Sequence, residues 1–476
     1  MPAGDGGDIR LRIVTQWFRQ GGACNSCGSE PFACRFLLFQ ADCDAPSTPT
    51  RDLSRPGAGR VLTATEPTRT LRECEGCGAM VRIAPLGRGE EARCPRCETV
   101  LRRHAADSLE VPLALCLAGL VLYAVTMTMP FLGLQLLGQL RSSRVETGAF
   151  AFLQDGYGIL SVLVLLTLVA VPLMRLLLLL TVLAGLRLRE APRWLYKPFR
   201  WHERLAQWAM LEVFLFGVLV SYTRLADLAQ VEIGPAAYGL AALALAQVAL
   251  NARLDADRVW EALEERGAVP APGRRPAENA GLIGCDCCRL VVPARPGDGC
   301  LRCDAPMRMR KPNSVARSWA LILAAVVLYV PANAYPVMDV VTFGRGGPHT
   351  ILGGTWEFIE AGFWPLALVV FLASVAVPLL KLIGLAIMLL GIHRRSDHGL
   401  IGKTRLYRVV EAIGRWSMID VFVVSVLIAL VRFGSVASIN AGLGAVCFAG
   451  VVVLTIFAAE AFDPRLMWDA AEERKP

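Results

Sequence analysis

Long apolar stretches with few or no charged residues restrict the fold of this chain more than any other feature. They lie at 111–138, 158–186, 207–223, 233–252, 318–338, 361–391, 416–431 and 433–459. Each is close to the roughly 20 residues that a helix needs to cross a bilayer. A mean hydropathy of +0.47 and a hydrophobic fraction of 54% also exceed those of soluble proteins. The sequence therefore predicts an all-α integral membrane protein with eight transmembrane helices.

The two halves of the chain repeat one another at a nearly constant offset. The recurring segments are 122–130 with 328–336, 171–176 with 377–382, and 208–214 with 416–422. Ordered matches of this kind indicate a tandem duplication with four spans in each copy. Because four is an even number, both copies enter the membrane from the same side. We therefore expect two parallel four-helix repeats.

Lysine and arginine residues in the short loops predict the orientation. Six lie in 187–204 and six in 394–415, whereas each loop on the other side carries one or two. The positive-inside rule therefore places both termini and the cysteine-rich segments in the cytoplasm. Because the basic residues serve orientation in this way, the net charge of +8 does not indicate nucleic-acid binding.

Composition divides the chain into seven segments. We expect a disordered extension at 1–65, a zinc ribbon at 66–106, a first transmembrane repeat at 107–253, a linker at 254–283, a second ribbon at 284–312, a second repeat at 313–462 and a cytoplasmic tail at 463–476. The extension is rich in Gly, Pro, Ser, Thr and Arg without apolar periodicity, which is typical of disorder. The linker begins with a short amphipathic segment that includes Trp260 and Leu263.

Eight of the fifteen cysteines form four Cys-x-x-Cys pairs. The first ribbon contains Cys74, Cys77, Cys94 and Cys97, and the second contains Cys285, Cys288, Cys300 and Cys303. Two such pairs allow four thiolates to surround one ion with the tetrahedral geometry of a structural zinc site. We therefore predict two structural zinc ions per chain, with iron as the alternative metal. Redox-active or unliganded cysteines are the competing interpretation.

Four charged residues lie inside the apolar stretches at positions that the repeat relates. Arg175 and Lys381 lie in the second and sixth stretches, and Glu212 and Asp420 lie in the third and seventh. An isolated charge in a span is costly, so we hypothesise that Arg175 pairs with Glu212 and that Lys381 pairs with Asp420. The alternative is that these groups extend to the membrane surface or only lock each helical hairpin.

The motifs together resemble the paraquat-inducible protein A family of bacterial inner-membrane proteins. The resemblance is carried by the paired ribbons, the Leu-Tyr-x6-Pro exit of the first span, Pro-Leu-x-Lys/Arg-Leu, Trp-Ser-Met-x-Asp-Val-Phe at 416–422 and the ending at 462–469. It covers about residues 70–470 and is more specific in the second half. In the first half, Ala209, Glu212 and residues 256–257 replace the Ser, Asp and Pro-Arg of the family pattern.

This resemblance implies an inner-membrane component of a lipid trafficking system in the Gram-negative envelope, which works with a periplasmic partner made of MCE domains. The periplasmic loops at 139–157 and 339–360 are too short to bridge the periplasm, and we expect them to form small hairpins that dock this partner. An ion-coupled small-solute transporter is the main alternative. An enzyme or a membrane redox protein is less favoured, because the five His and the carboxylates form no catalytic constellation in the sequence.

The second half also keeps more polar residues at the family positions. These residues are Asn333, Lys381, Ser417 and Asp420. The first half has Met127 and Ala209 where the second half has Asn and Ser. We therefore predict that the groups that engage a lipid headgroup or relay a proton cluster in the second half. Arg175 and Glu212 would then serve mainly as part of the scaffold.

Overall fold

The computed structural model describes residues 71–473 with nine short gaps. The gaps are 88, 105–107, 137–138, 227–229, 271–280, 343–344, 361, 363 and 432–436. The predicted extension at 1–65 lies outside the described residues. Within them, eight helical segments are long and apolar enough to cross a membrane, and they form two sets of four. The predicted number of spans is therefore confirmed.

The first ribbon consists of two short antiparallel hairpins. Its strands are β1 (Leu71–Glu73), β2 (Met80–Arg82), β3 (Glu91–Arg93) and β4 (Val100–Arg103). β1 pairs with β2, and β3 pairs with β4. Each Cys-x-x-Cys pair therefore lies in the turn between two paired strands, where the hairpin holds it in place.

The first repeat combines the four spans with a small sheet. Its helices are α1 (Glu110–Thr128), α2 (Thr147–Gln154), α3 (Gly158–Leu165), α4 (Val171–Gly185), α5 (Tyr196–Arg204), α6 (Leu211–Ala226), α7 (Pro235–Arg253) and α8 (Ala256–Glu265). Its strands are β5 (Leu132–Leu136), β6 (Gln139–Ser143) and β7 (Gln230–Ile233), in the antiparallel order β6-β5-β7. A π-helical turn at Leu166–Ala170 joins α3 to α4 as one span, and a 3-10 turn at Leu205–Trp208 joins α5 to α6.

The second ribbon and the second repeat have the same organisation. The ribbon contains β8 (Leu282–Gly284) and β9 (Val291–Pro293), and the repeat contains α9 (Ser314–Ala334), β10 (Met338–Thr342), β11 (Arg345–His349), α10 (Ile351–Glu360), α11 (Trp364–Phe371), α12 (Val377–His393), α13 (Leu400–Gly414), α14 (Ile419–Leu430), β12 (Ala437–Ala441), α15 (Leu443–Ala461) and α16 (Arg465–Glu472). The sheet order is β11-β10-β12, again antiparallel. A π-helical turn at Leu372–Ala376 precedes α12, and a 3-10 turn at Arg415–Met418 precedes α14.

The first and fifth spans end earlier than their hydropathy indicates. The predicted stretches at 111–138 and 318–338 continue past Pro130 and Pro336, but α1 and α9 end before these prolines. The residue before a proline disfavours helical geometry, so the chain becomes extended and forms β5 and β10. A hairpin forms in each segment, but the first one lies earlier than predicted: β5 pairs with β6 over 132–143, inside the end of the predicted span, whereas β10 pairs with β11 close to the predicted 339–360. The third strand of each sheet, from between the third and fourth spans, was not predicted.

Two glycines hold the fourth span of each repeat against the end of the first. A Cβ atom on Gly234 would lie 2.2 Å from the carbonyl oxygen of Pro130, and one on Gly442 would lie 2.2 Å from that of Pro336. This close approach allows the backbone N–H of Gly234 to donate to the Phe131 carbonyl at 2.9 Å. Glycine is required at both positions because any side chain would collide with backbone.

Helix α14 forms the contact between the two repeats. It is buried along nearly its whole length and packs against α6 and α2. Phe214 of α6 and Phe422 of α14 occupy equivalent motif positions, and their rings form an edge-to-face pair with centroids 5.6 Å apart. The Ser221 hydroxyl donates to the Val423 carbonyl at 3.4 Å in the same interface. The repeated phenylalanine therefore joins the two copies.

Each ribbon shares its apolar packing with the repeat of the other half. The cysteines of the first ribbon belong to a core that includes Phe462 and Trp468 of the second repeat. Those of the second ribbon belong to a core that includes Phe199 and Trp260 of the first repeat. The ribbons also contact one another through β1, β8 and β9. Both repeats therefore begin on the same side, here called the ribbon side, and the predicted parallel arrangement is confirmed.

Candidate metal centres and intramembrane polar site

The four cysteines of the first ribbon converge on one point. Cys74 Sγ lies 3.4 Å from Cys97 Sγ, and Cys77 Sγ lies 3.6 Å from Cys94 Sγ. All four sulfur atoms lie within 4.8 Å of one another. A tetrahedral ion with metal–sulfur distances of about 2.3 Å requires sulfur–sulfur distances of about 3.8 Å, whereas a disulfide bond measures about 2.05 Å. The spacing therefore fits a metal ion bound by four thiolates.

The second ribbon brings its four cysteines together in the same way. Cys285 Sγ lies 3.5 Å from Cys303 Sγ, and Cys288 Sγ lies 3.5 Å from Cys300 Sγ. These four sulfur atoms also lie within 4.8 Å of one another. The structure thus contains two clusters that could each hold a metal ion. A closed set of four thiolates leaves no coordination position for a substrate, which is typical of structural rather than catalytic metals.

A residue with left-handed backbone closes each of the four Cys-x-x-Cys turns. The φ angle is +72° at Gly78, +61° at Glu98, +59° at Arg289 and +57° at Asp304. The N–H of this residue donates to the carbonyl of the first cysteine of its turn. A side chain in this region costs about 1 kcal/mol or more, so the sequence indicates the turn only at the glycine. The common geometry at the other three positions follows from the shared cysteine cluster.

Hydrogen bonds among the thiols shift their pKa values in opposite directions. Hydrogen bonds with Cys74 and Cys77 lower the pKa of the Cys94 thiol to about 6. The hydrogen bond with Cys74 is the largest factor that raises the pKa of Cys77 far above its usual range. The neighbouring thiols therefore favour the thiolate form of Cys94, and thiolate is the form of cysteine that binds metal.

A buried ion pair fastens the first ribbon to α8. Arg72 donates to Asp257 at 2.8 Å, and the two side chains are only 6% and 7% exposed. Arg102 donates to Glu261 of the same helix at 2.9 Å. Asp257 occupies the position that Arg465 holds in the second repeat. Where the family pattern has an arginine, the first half therefore has an aspartate, and Arg72 of the ribbon supplies the basic partner. The sequence alone did not indicate this pair.

Arg465 joins α16 to both ribbons. Its guanidinium lies 3.1 Å from Glu73 of the first ribbon, 3.2 Å from Asp286 of the second and 2.9 Å from Asp463. Burial disfavours the charged guanidinium, but the hydrogen bonds and the charge of Asp463 outweigh it and raise the pKa of Arg465. A second arginine, Arg310, adds a salt bridge to Asp469 at 2.6 Å. Sequence reasoning noted the ending at 462–469 but not this role.

Two of the predicted intramembrane residues, Lys381 and Ser417, lie in direct contact. Lys381 Nζ donates to Ser417 Oγ at 2.5 Å and to the Gly414 carbonyl at 3.1 Å. The lysine is 2% exposed, and Asp420 is half-buried in the first turn of α14. The pairing of Lys381 with Asp420 therefore stays a prediction. The amine binds the end of α13, where helix carbonyls lack intrahelical partners.

Arg175, the equivalent of Lys381 in the first repeat, has different partners. Its guanidinium donates to Asn251 Oδ1 at the end of α7 at 3.3 Å, and its backbone carbonyl lies 3.0 Å from His202 Nδ1. Glu212 is exposed, and the described ion pairs do not include it with Arg175. The pairing of Arg175 with Glu212 also stays a prediction. Sequence reasoning missed His202 and Asn251, although each is a polar residue near the end of an apolar stretch.

Asn333 lies apart from the contact between Lys381 and Ser417. Its side chain donates to the Tyr329 carbonyl at 2.9 Å, and the Tyr329 hydroxyl lies 3.5 Å from the Val375 carbonyl. Asn333 follows Tyr329 toward the sheets, whereas Lys381 follows Val375 toward the ribbons. At 1.5 Å per residue, the two side chains are separated by about 15 Å along the membrane. The structure therefore does not bring Asn333 together with Lys381.

The repeated tyrosine and proline motifs meet at the π-helical turns. The Tyr123 hydroxyl donates to the Val169 carbonyl at 3.0 Å, and Tyr329 makes the equivalent contact with Val375. Both carbonyls belong to π-helical turns that end just before a proline. Proline has no backbone N–H, so the helix before it cannot complete its hydrogen bonds. The tyrosine ties the first span of each repeat to this irregular turn of the second.

Fold and sites together define a multi-pass membrane protein of two parallel four-helix repeats, with two four-cysteine clusters packed on one side. The family model described as Paraquat-inducible protein A matches residues 109–264 and 315–472, one repeat at a time. The chain belongs to this family.

Curated relatives cover nearly the whole described chain. The intermembrane transport protein PqiA of Escherichia coli (strain K12) is 34% identical over 84% of this chain and 96% of its own length. The lipophilic envelope-spanning tunnel protein A of the same strain is 30% identical over 89% and 96%. A probable intermembrane transport protein of Haemophilus influenzae is 25% identical over 86% and 99%. No solved structure matches the chain.

Proposed function

We propose that this protein is the inner-membrane component of an intermembrane lipid transport system. The names of its relatives support transport between membranes, and one of them describes a lipophilic tunnel. The excess of Lys and Arg in 187–204 and 394–415 supports a cytoplasmic ribbon side. The three-stranded sheets would then lie in the periplasm. The two cysteine clusters hold structural zinc in this proposal, and the protein itself catalyses no reaction.

The two sheets are the proposed docking surface for a periplasmic partner with MCE domains. In each sheet the central strand, β5 or β10, is paired on both sides, so the two outer strands form the edges of the sheet. An added strand or loop of a partner can pair with such an edge. The segments that form the sheets are too short to cross the periplasm, so a partner must carry the lipid onward.

The contact between Lys381 and Ser417 is the observation that carries the proposed transport site. A lysine amine that is 2% exposed inside a span is costly to keep, and such residues are usually retained for function. In this proposal the Lys381 amine engages a lipid headgroup or relays a proton. Asp420, which follows Ser417 by about one helical turn, supplies an acidic group. An ion-coupled solute transporter could use the same residues, so the experiment must report on lipid.

The test replaces Lys381 by Met and Asp420 by Asn and measures the envelope barrier in a complementation assay. We expect each change to abolish the barrier function while membrane abundance and metal content stay normal. Glu212→Gln is the matched control for Asp420→Asn, because Glu212 is the equivalent residue but is exposed. It should retain function.

Equal losses of abundance and function at Lys381 and Asp420 would show that both residues act only through folding. Exchange of labelled phospholipid between the two membranes should fall with the barrier. If solute uptake is lost while phospholipid exchange is normal, the solute transporter is the better interpretation.

A further inference from the structure

A polar cavity of about 1000 Å³ lies between the ribbons and the membrane helices. Both ribbons, α4 and α5 of the first repeat, and α13 and the end of α15 of the second repeat contribute to its walls. We call this cavity the vestibule. Its size is at the upper end of the range for small-ligand sites, and its lining is charged, unlike the apolar walls of most such pockets.

Three of the acidic side chains of the vestibule are held by its own cations. Its lining contains seven Arg or Lys and six Asp or Glu residues. Glu75 accepts from Arg289 at 3.0 Å, and Asp286 and Asp463 accept from Arg465 at 3.2 and 2.9 Å. These three carboxylates occupy Arg289 and Arg465, which leaves other cations of the lining available to a ligand.

Three arginines of the vestibule take part in no ion pair of the described residues. They are Arg204, Arg308 and Arg408. Arg204 and Arg308 are exposed to the cavity, and Arg204 lies over the Trp201 ring with its Cζ atom 5.7 Å from the centroid. The Nε atom of Arg408 is buried without a hydrogen-bond partner. A buried guanidinium N–H without a partner is costly, which points to an acceptor that is supplied from outside the chain.

We propose that the vestibule binds the phosphate group of an anionic ligand, with Arg204 and Arg408 as its principal ligands and Arg308 at the rim. A guanidinium donates two parallel hydrogen bonds to phosphate oxygens and keeps its charge at all relevant pH values. Trp201 and Trp208 line the same cavity, and tryptophan is typical of the membrane boundary. This position suits the glycerophosphate headgroup of a membrane lipid, although a soluble phosphate shares the chemistry.

The vestibule site goes beyond the proposed transport function. Neither Lys381 nor Ser417 lines the vestibule, so the two sites can be tested separately. A failure of Lys381 variants to affect the envelope barrier would leave phosphate binding in the vestibule untouched. Conversely, loss of binding in vestibule variants would be measured directly on purified protein and does not depend on transport.

The experiment compares delipidated, metal-loaded protein with the double variant Arg204→Gln/Arg408→Gln. Binding of phosphatidylglycerol is measured at 0.15 M salt, with diacylglycerol of the same chains as the probe without phosphate. Glycerol 3-phosphate is the soluble probe. Lys197→Gln is the matched control, because Lys197 lies on α5 like Arg204, is exposed and does not line the vestibule. Unchanged metal content verifies that each variant is folded.

We expect the double variant to bind phosphatidylglycerol at least about tenfold more weakly, because it loses two charge-assisted hydrogen-bonding groups. Diacylglycerol binding and the Lys197→Gln variant should be unaffected. Loss confined to glycerol 3-phosphate would assign the site to a soluble phosphate. The proposal is overturned if both phosphate probes bind the double variant as they bind the wild type, or if Lys197→Gln weakens binding equally.

Discussion

Replacing Asp257 by Asn should loosen the first ribbon from the membrane repeats. The carboxylate of Asp257 accepts from Arg72 at 2.8 Å and lies 3.6 Å from Arg102 Nε. Removing one partner of a buried ion pair costs about 3–5 kcal/mol, because the other charge is left uncompensated. The Asn side chain keeps one acceptor for Arg72, so we expect about 2 kcal/mol. This corresponds to a roughly 30-fold increase in local opening of the ribbon.

Hydrogen exchange of the ribbon amides measures this opening in detergent with the metal bound. Arg258→Gln is the control on the same helix, since Arg258 is 34% exposed and its ion pair with Glu261 spans 3.3 Å at the surface. Such surface pairs contribute about 0.5 kcal/mol or less. The double variant Arg72→Gln/Asp257→Asn should be less destabilised than the two single changes together. An exchange rate in Asp257→Asn within threefold of the wild type would refute the claim that the ion pair with Arg72 holds the first ribbon against α8.

Two further predictions concern the metal centres and the tail. Purified protein should contain close to two zinc ions per chain, as metal analysis can measure. Cys74→Ser should reduce this content to about one and lower the protein abundance, because metal binding and ribbon folding are coupled. A zinc content near zero in the wild type would contradict the assignment of both ribbons as metal sites. Burial raises the pKa of Asp463, but hydrogen bonds and the charge of Arg465 outweigh this and lower it. The stabilisation by Asp463 is therefore complete above its unfolded pKa of about 3.9 and is lost as the pH falls further. Proteolysis of the tail by an acid-stable protease across pH 2–5 should thus show an acid-dependent step that Asp463→Asn removes. An unchanged step in that variant would exclude Asp463 as its cause.

The two copies of the repeat differ in the surroundings of their equivalent basic residues, Arg175 and Lys381. In the second repeat Lys381 is enclosed and bound to Ser417, whereas in the first repeat Arg175 lies at the wall of the vestibule with Asn251 and His202. The first half therefore lacks the second half's lysine site, and its equivalent residue contributes to the vestibule that both halves line. Divergence of this kind allows one copy to change chemistry while the other keeps the shared scaffold.

Features that depend on local pattern could be predicted from the sequence alone. Eight spans follow from runs of apolar residues, the duplication follows from ordered matches, and the two metal clusters follow from Cys-x-x-Cys spacing. Each of these signals comes from residues close together in the chain or from a comparison of the chain with itself. The hairpin after Pro336 was predictable for the same reason, whereas the one after Pro130 begins inside the predicted span.

Only the tertiary structure decided which distant groups meet. Lys381 binds Ser417 and the Gly414 carbonyl, which lie more than thirty residues away in the chain and which hydropathy does not identify as its partners. The ion pair of Arg72 with Asp257 joins residues 185 positions apart. The packing of each ribbon against the repeat of the other half also joins distant segments. Contacts of this kind depend on how whole segments assemble. The sequence therefore specified the spans, the repeat and the cysteine clusters, while long-range packing determined distant charge pairs such as Arg72 with Asp257.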